Sequence, residues 1–287
     1  MYISNLALPD VPDFIPAIVN QIWCAVKTGD LEELKRLSKN AKDKNPVIGA
    51  NNATILHLAA EFGQLDIIKY IAPFVTNINP KDGDGWTPMA SAASHGHLDI
   101  VKWYAKVLED PNPAMIRNDE FNGSTPMHMA AQNGHYDIFV FLSQLVNDTN
   151  PSDQNGITPL HLAAEYNYLD IVKFAVPNLT DKNPEASEYY GRTTPLHEAA
   201  KYGHMEIVEF LVLLLGNETN PEDSKGMTPL HLAAANGHIN VVKLYAEVLE
   251  NPNPGRTRYD EFKVVVDRSD FLPKIPNRTD QIFTEPK

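Results

Sequence analysis

The chain has little of three things that help to class a protein: cysteine, basic charge and long apolar runs. A single cysteine, Cys24, excludes an internal disulfide and a zinc site built from the cysteines of one chain. Lys and Arg number 24 against 37 Asp and Glu, a formal charge of −13, which argues against binding to nucleic acids or anionic membrane surfaces. The longest purely aliphatic run, Leu211 to Leu215, is far shorter than the ~20 residues that span a bilayer.

The remaining composition is that of an ordinary folded protein inside a cell. Hydrophobic residues make up 43% of the chain and charged residues 21%, which is typical of a folded domain. The segment from Met1 to Pro16 has no Lys or Arg and no sustained apolar core, so we do not interpret it as a signal peptide. We therefore predict an intracellular location, the cytoplasm first and the nucleus as the alternative.

One heptapeptide recurs along the chain, in its fullest form as Thr158-Pro-Leu-His-Leu-Ala-Ala164. Successive copies are separated by 33, 38, 33, 36 and 34 residues, and they begin at Thr54, Thr87, Thr125, Thr158, Thr194 and Thr228. Gly-His follows four of the six copies, two residues later. The motif and its period resemble the ankyrin repeat, whose signature is T-P-L-H-x-A-A at a period of about 33 residues.

Each residue of the motif has a physical role that can be stated without the family. The Thr hydroxyl caps the free N–H groups of a helix, and Pro suits the first helical position, where no donor is needed. The Ala-Ala pair lets the next helix approach closely, and the later Gly supplies a left-handed helix end. A second apolar helix follows, carrying an aromatic stripe that we interpret as packing between repeats and not as a cofactor site.

The resemblance implies an all-α fold: a solenoid of stacked helix–turn–helix units joined by β-hairpin fingers. We predict an N-terminal extension over 1–15 and an ankyrin-repeat domain over 16–262. That domain divides into a cap repeat (16–45), six repeats (46–254) and the start of a broken seventh finger (255–262). The segment 263–287 is a tail or irregular cap, and the broken finger leaves open whether the chain is a piece of a longer repeat protein.

Several departures from the repeat pattern carry expectations of their own. Asn167-Tyr168 stands where Gly-His is expected, and Gly191 comes one residue early, which predicts an insertion in that finger. Pro73 and Pro177 should shorten or kink two second helices near their ends. Cys24 falls on a core position of the cap helix in the repeat alignment, which predicts a buried, structural thiol.

No catalytic, cofactor or metal site is predicted. Nine of the ten histidines occupy the two repeated positions, the motif His and the His after Gly, which in ankyrin repeats are structural. Catalysis needs a converging, non-repeated cluster rather than a regular row. The chain also lacks the phosphate-loop, zinc-protease and nucleophile-elbow motifs. We therefore predict that the protein is not an enzyme and needs no cofactor.

In proteins of the family, partners bind the concave surface that finger tips and first helices form. Carried over by position, the candidate binding residues in this chain are Phe62, Trp86, His95, Phe121, Asn133, Tyr166, Tyr189, Tyr202 and Asn236. The resemblance also implies a possible modification by an oxygen-dependent asparaginyl hydroxylase, whose target position in the fingers is occupied here by Asn79, Asn150, Asn183 and Asn220.

The leading hypothesis is a non-enzymatic adaptor that holds a partner protein or peptide on this face. Acidic residues in and near the fingers suggest a partner of basic character, and we predict a monomer. The competing hypothesis is a regulatory ankyrin segment of a larger protein, such as a channel, a kinase or a ubiquitin-ligase subunit.

Overall fold

The computed structural model describes residues 17–48, 51–115, 122–216 and 218–250. The predicted N-terminal extension over 1–15, the broken finger at 255–262, the tail at 263–287 and Phe121 lie outside the described residues.

The described part of the chain is a row of helix pairs. The cap pair is α1 (Ala17–Thr28) and α2 (Leu31–Ser38). The six repeats follow as α3 (Ile55–Glu61) with α4 (Leu65–Ile71), α5 (Pro88–Ser94) with α6 (Leu98–Val107), α7 (Pro126–Asn133) with α8 (Tyr136–Ser143), α9 (Pro159–Glu165) with α10 (Leu169–Ala175), α11 (Pro195–Tyr202) with α12 (Met205–Leu215), and α13 (Pro229–Ala235) with α14 (Ile239–Glu250).

Each first helix begins at the motif threonine and packs on the first helix of the next repeat. In five repeats the threonine forms a capping box with the motif histidine three residues on, as Thr158 does with His161. The close approach depends on the alanine pair, which from the first to the fifth repeat is fully buried, for example at Ala163 and Ala164. A continuous core with no bulky side chains between first helices is the result.

Each second helix buries apolar residues at a fixed spacing, as Ile171, Val172 and Ala175 do in α10. The aromatic stripe packs against this core, although Phe174 and most of its equivalents are only half-buried. The two prolines end their helices as expected: α4 and α10 stop before 3₁₀ turns at Ala72–Phe74 and Val176–Asn178.

The fingers are tighter than the expected β-hairpins. In three of them two backbone hydrogen bonds close a short turn: Asp153 N–H, for example, donates to the Ile157 carbonyl at 2.9 Å, and Gly156 N–H donates to the Asp153 carbonyl at 3.1 Å. Among the described residues the β-pairing is one antiparallel bridge, Val47 with Thr54. Neighbouring fingers also bond to each other, for example through Gln154 N–H and the Asn122 carbonyl at 3.0 Å.

The finger before α11 carries the insertion that the early glycine predicts. A 3₁₀ turn, Glu188–Tyr190, is capped by Ser187 and ended by Gly191 at a left-handed φ of 86°. Tyr189, in the middle of this turn, is 92% exposed.

The prediction of a buried Cys24 is wrong, because the thiol is exposed. The equivalent residue of the first repeat, Leu58, is buried. Among the described residues no repeat precedes the cap, so nothing covers the outward side of α1. The apolar residues that α1 buries are Ile22, Ala25 and Val26.

Candidate functional site

The motif histidines tie each first helix to the next finger. His161 Nδ1 lies 3.0 Å from the hydroxyl of Thr158, and its Nε2 lies 3.2 Å from the carbonyl of Thr193 in the following finger. The same pair of contacts recurs at His57, His128 and His197. These side chains therefore set the position of the fingers relative to the helices.

Burial keeps these imidazoles neutral. It lowers the pKa of His128 and His161 to about 4, and it lowers the pKa of His57 and His197 as well. At neutral pH they add no positive charge to the surface in front of them.

The histidines that follow the helix-ending glycines make a second set of links. His204 Nε2 lies 2.8 Å from the carbonyl of Glu165, and His97, His135 and His238 bond to the corresponding carbonyls of their preceding repeats. In the fourth repeat Asn167 adopts the left-handed φ of 67° and Tyr168 packs over Gly134. All nine repeated histidines thus have structural contacts, and the described residues contain no group of three metal-binding side chains.

The asparagines proposed for hydroxylation cap the first helices from the preceding loop. The side-chain oxygen of Asn150 accepts from Leu160 N–H at 3.0 Å, and Asn79, Asn183 and Asn220 make the same contact in their repeats. These bonds explain why Asn suits the position; modification stays a prediction.

An exposed row of side chains runs across the C-terminal ends of the first helices. Its members are the predicted residues His95, Asn133, Tyr166, Tyr202 and Asn236, all of which are exposed. Polar contacts join neighbouring repeats along the row: Asn133 Nδ2 donates to Ser94 Oγ at 3.2 Å, and the Tyr202 hydroxyl donates to a Glu165 carboxylate oxygen at 3.3 Å. We call these five residues the helix-end row.

The other candidate residues lie around the row in different environments. Phe62 is half-buried and packs edge-on against Trp23, with ring centroids 6.1 Å apart. Trp86 is half-buried against the core at its finger. Tyr189 projects from the inserted turn, and no structural statement applies to Phe121. Among the described candidate residues, exposed aromatic area is therefore concentrated at Tyr166, Tyr189 and Tyr202.

The acidic residues of the fingers divide into two groups. Asp82, Asp153 and Asp223 close their turns, because each accepts two backbone N–H groups through one carboxylate oxygen. Asp84, Glu188 and Glu222 are exposed, and the carboxylate of Asp84 also accepts a hydrogen bond from Asn51 Nδ2 of the neighbouring finger. The negative charge of the finger tips thus depends mainly on this second group.

Sequence reasoning missed one feature beside the helix-end row, the buried carboxylate of Glu198 on α11. Its position in the motif is apolar in four other repeats, at Leu58, Met129, Leu162 and Leu232. An acidic residue at an otherwise apolar motif position was the signal in the sequence that could have identified this feature. A repeat alignment alone does not reveal which residues surround the Glu198 side chain, because these depend on the path of the inserted finger.

A comparison with known families identifies the family of the chain. A model described as "Ankyrin repeats (3 copies)" matches residues 22–114, 105–186 and 175–254, which together cover most of the chain. A comparison with curated proteins finds no significant match. In the described part of the chain, no helix combines the length and apolar character needed to cross a membrane.

Proposed function

Because this chain belongs to the ankyrin-repeat family, whose members generally bind proteins and are typically non-enzymatic, we propose that it is an adaptor that holds a protein or peptide partner on its concave face. The observation that carries the proposal is the helix-end row. It provides exposed aromatic and amide side chains in register along five repeats, supported by a rigid core. Aromatic residues contribute much of the energy at interfaces because they bury a large area at a small cost in conformational entropy.

The charge of the surface supports a partner of basic character. The chain carries a net charge of −13, and Asp84, Glu188 and Glu222 place exposed carboxylates on the fingers that border the row. Complementary charge speeds encounter and excludes acidic competitors. We therefore expect association to weaken as salt is raised.

The test is affinity capture with purified full chain, comparing wild type with a Tyr166→Ala/Tyr189→Ala/Tyr202→Ala variant. These side chains are exposed, so the variant should keep its helical circular dichroism. The matched control is Phe74→Ala, which removes an exposed aromatic residue next to a second helix. We expect proteins that wild type and the control retain to be lost from the triple variant.

Proteins retained equally by all three chains would contradict the concave face as the binding surface. The same preparations, analysed by light scattering, test the prediction of a monomer. Imaging of the tagged chain tests a cytoplasmic against a nuclear location.

A regulatory segment of a longer protein remains the alternative, since the same surface would serve either arrangement. Sequencing of full-length transcripts distinguishes the two. An open reading frame that continues beyond Met1 or Lys287 into a further domain would favour the regulatory segment over a free-standing adaptor.

Hydroxylation of Asn79, Asn150, Asn183 and Asn220 is a separate part of the proposal, supported by their position in the repeat. Peptide mass spectrometry of protein isolated from cells should find one added oxygen atom on at least one of these residues. The absence of the added oxygen from all four peptides, at good coverage, would contradict it.

A further inference from the structure

A small cavity opens beside the helix-end row, between α9, α11 and the fingers in front of them. Its volume is about 150 Å³. The charged residues and tyrosines that line it are Asp153, Glu165, Glu198, Lys201, Tyr166 and Tyr190, and Ser124, Gln132 and His161 add further polar groups. We call this cavity the acidic pocket. Its three carboxylates face a single ammonium group, so its local charge is negative.

Glu198 is the residue that stacking of the repeats does not explain. The residue is only 6% exposed. The first, third and fourth repeats have Leu, Met and Leu at the same motif position, and those side chains are buried as well. A buried carboxylate costs desolvation energy that an apolar side chain avoids. The packing of the repeats therefore gives no reason for an acid at this position.

The hydrogen bonding of Glu198 is incomplete. Its Oε2 accepts from Lys201 Nζ at 3.3 Å, while its Oε1 accepts no hydrogen bond from the described residues. Lys201 is shared between two partners: its side chain is 42% exposed, and its ammonium also lies 4.8 Å from the ring centroid of Tyr202. One acceptor of a buried carboxylate thus remains available at the pocket.

Two tyrosines line the pocket, and one of them, Tyr190, departs from a uniform repeat. Tyr190 belongs to the 3₁₀ turn that the insertion adds to the fifth finger, and Tyr166 ends α9. Aromatic faces beside carboxylates attract cations, since the ring quadrupole and the negative charges act in the same direction. Tyr190 of the insertion and Glu198, the acid at an otherwise apolar motif position, therefore line the same pocket, and both favour a cationic ligand.

We propose that the acidic pocket binds a cationic side chain, arginine or lysine, of the partner segment that lies along the helix-end row. The cation would pair with Glu198 and stack against Tyr166 and Tyr190. This inference rests on the proposed function, because the cation is delivered by a peptide on the concave face. It adds a specificity-determining contact to that surface.

The test begins with a random peptide library displayed on phage and selected against the full wild-type chain. Selected peptides should share a basic residue at a fixed position. Affinities are then measured by calorimetry for synthetic peptides that carry arginine, lysine, or the neutral isostere citrulline at that position. We expect the citrulline peptide to bind at least about tenfold more weakly to wild type, and the arginine and lysine peptides show which cation is preferred.

Glu198→Leu is the decisive variant, because leucine is the residue that other repeats bury at this place. It should bind the arginine and citrulline peptides equally, while its melting temperature equals or exceeds that of wild type. Binding is therefore separated from folding. Glu198→Gln, which keeps the shape and removes the charge, should give the same loss of discrimination.

The outcomes separate the two proposals. Peptides that bind through Tyr166 but show no preference for a cation, or whose preference survives in Glu198→Leu, would overturn the acidic pocket and leave the adaptor function standing. A clear fall in the melting temperature of Glu198→Leu would assign the Glu198–Lys201 pair a structural role and also overturn it. A library that yields no binder to wild type would contradict both proposals.

Discussion

The buried motif histidines make stability depend on pH. Burial depresses the folded-state pKa of His128 and His161 to about 4, while an unfolded histidine titrates near 6.5. Between these values the unfolded chain takes up protons that the folded chain does not. Their contribution to stability is therefore complete above pH 6.5 and is lost as pH falls towards 4.

We predict that the free energy of unfolding decreases by about 1.4 kcal/mol per pH unit for each such histidine below pH 6.5. Urea titrations of wild type and His128→Gln between pH 4.5 and 7.5 measure it, and the variant should show the shallower slope. Thr125→Val is the control, since it disturbs the same capping box without removing a histidine. A His128→Gln slope equal to that of wild type would contradict the prediction.

A helix-ending glycine can be required for its left-handed backbone conformation and for the absence of a side chain, and substitutions at two glycines can separate these requirements. Gly203 and Gly237 hold nearly the same left-handed φ, 75° and 77°. A Cβ at Gly203 would lie 2.3 Å from the ring of His238, whereas a Cβ at Gly237 would meet no described atom within 4 Å. At Gly203 a side chain is therefore disfavoured both by the backbone conformation and by the lack of space, whereas at Gly237 only the backbone conformation disfavours it.

We predict that Gly237→Ala costs about 1 kcal/mol, the usual penalty of a left-handed L-residue, and that Gly203→Ala costs clearly more. The additional loss arises because His238 must move away from the Lys201 carbonyl of α11, to which it is hydrogen-bonded. Thermal unfolding of both variants measures the difference. Equal losses would show that the histidine contact adds nothing to the strain at the glycine.

At the scale of the element, the alanine pair decides how closely first helices approach. Ala164 is fully buried between neighbouring repeats, while Ala234, at the same motif position in the last described repeat, is exposed. We predict that Ala164→Leu destabilises by about 1–3 kcal/mol through overpacking. Ala234→Leu should change stability by less than about 0.5 kcal/mol.

Chemical denaturation of the two alanine variants is the measurement. A large loss for Ala234→Leu would show that some further part of the chain covers α13. A negligible loss for Ala164→Leu would mean that the first helices can move apart at little cost.

The local elements were largely predictable from the sequence because their signals are local. Thr158, Pro159 and Gly203 each act on the helix end where they stand, so their roles follow from residue type and spacing. Pro177 likewise ends α10 in the way its chemistry requires. Features that depend on neighbours were not predictable: Cys24 is exposed on α1, the first helix of the described part of the chain, and Phe62 of the first repeat packs on Trp23 of the cap.

The candidate site was predictable only in part, for the same reason. Repeat position identified the exposed members of the helix-end row, such as Tyr166 and Tyr202. It did not reveal the acidic pocket, because the position of Tyr190 relative to Glu198 is set by an insertion that interrupts the repeat. Irregularities are therefore the places where a repeat alignment says least about the surface.

At the scale of the whole molecule, helix pairs contact mainly their neighbours, so stability is the sum of repeat and interface terms. All three tryptophans, Trp23, Trp86 and Trp103, lie in the first 103 residues. Tryptophan fluorescence therefore reports the N-terminal repeats, while far-ultraviolet circular dichroism reports every helix. A defect at one end can be located by comparing the two signals.

We predict that Gly203→Val, which places a side chain against His238, separates the urea unfolding curve measured by circular dichroism from the curve measured by tryptophan fluorescence. Circular dichroism should lose amplitude at lower urea than in wild type, while the fluorescence midpoint moves less. Gly63→Val is the matched variant, because Gly63 has a φ of 76° and its Cβ would lie 2.7 Å from the His97 ring. It should shift the fluorescence midpoint strongly. If each variant moved both signals together, the solenoid would unfold as one cooperative unit, and the interfaces between repeats would be stronger than the repeats themselves.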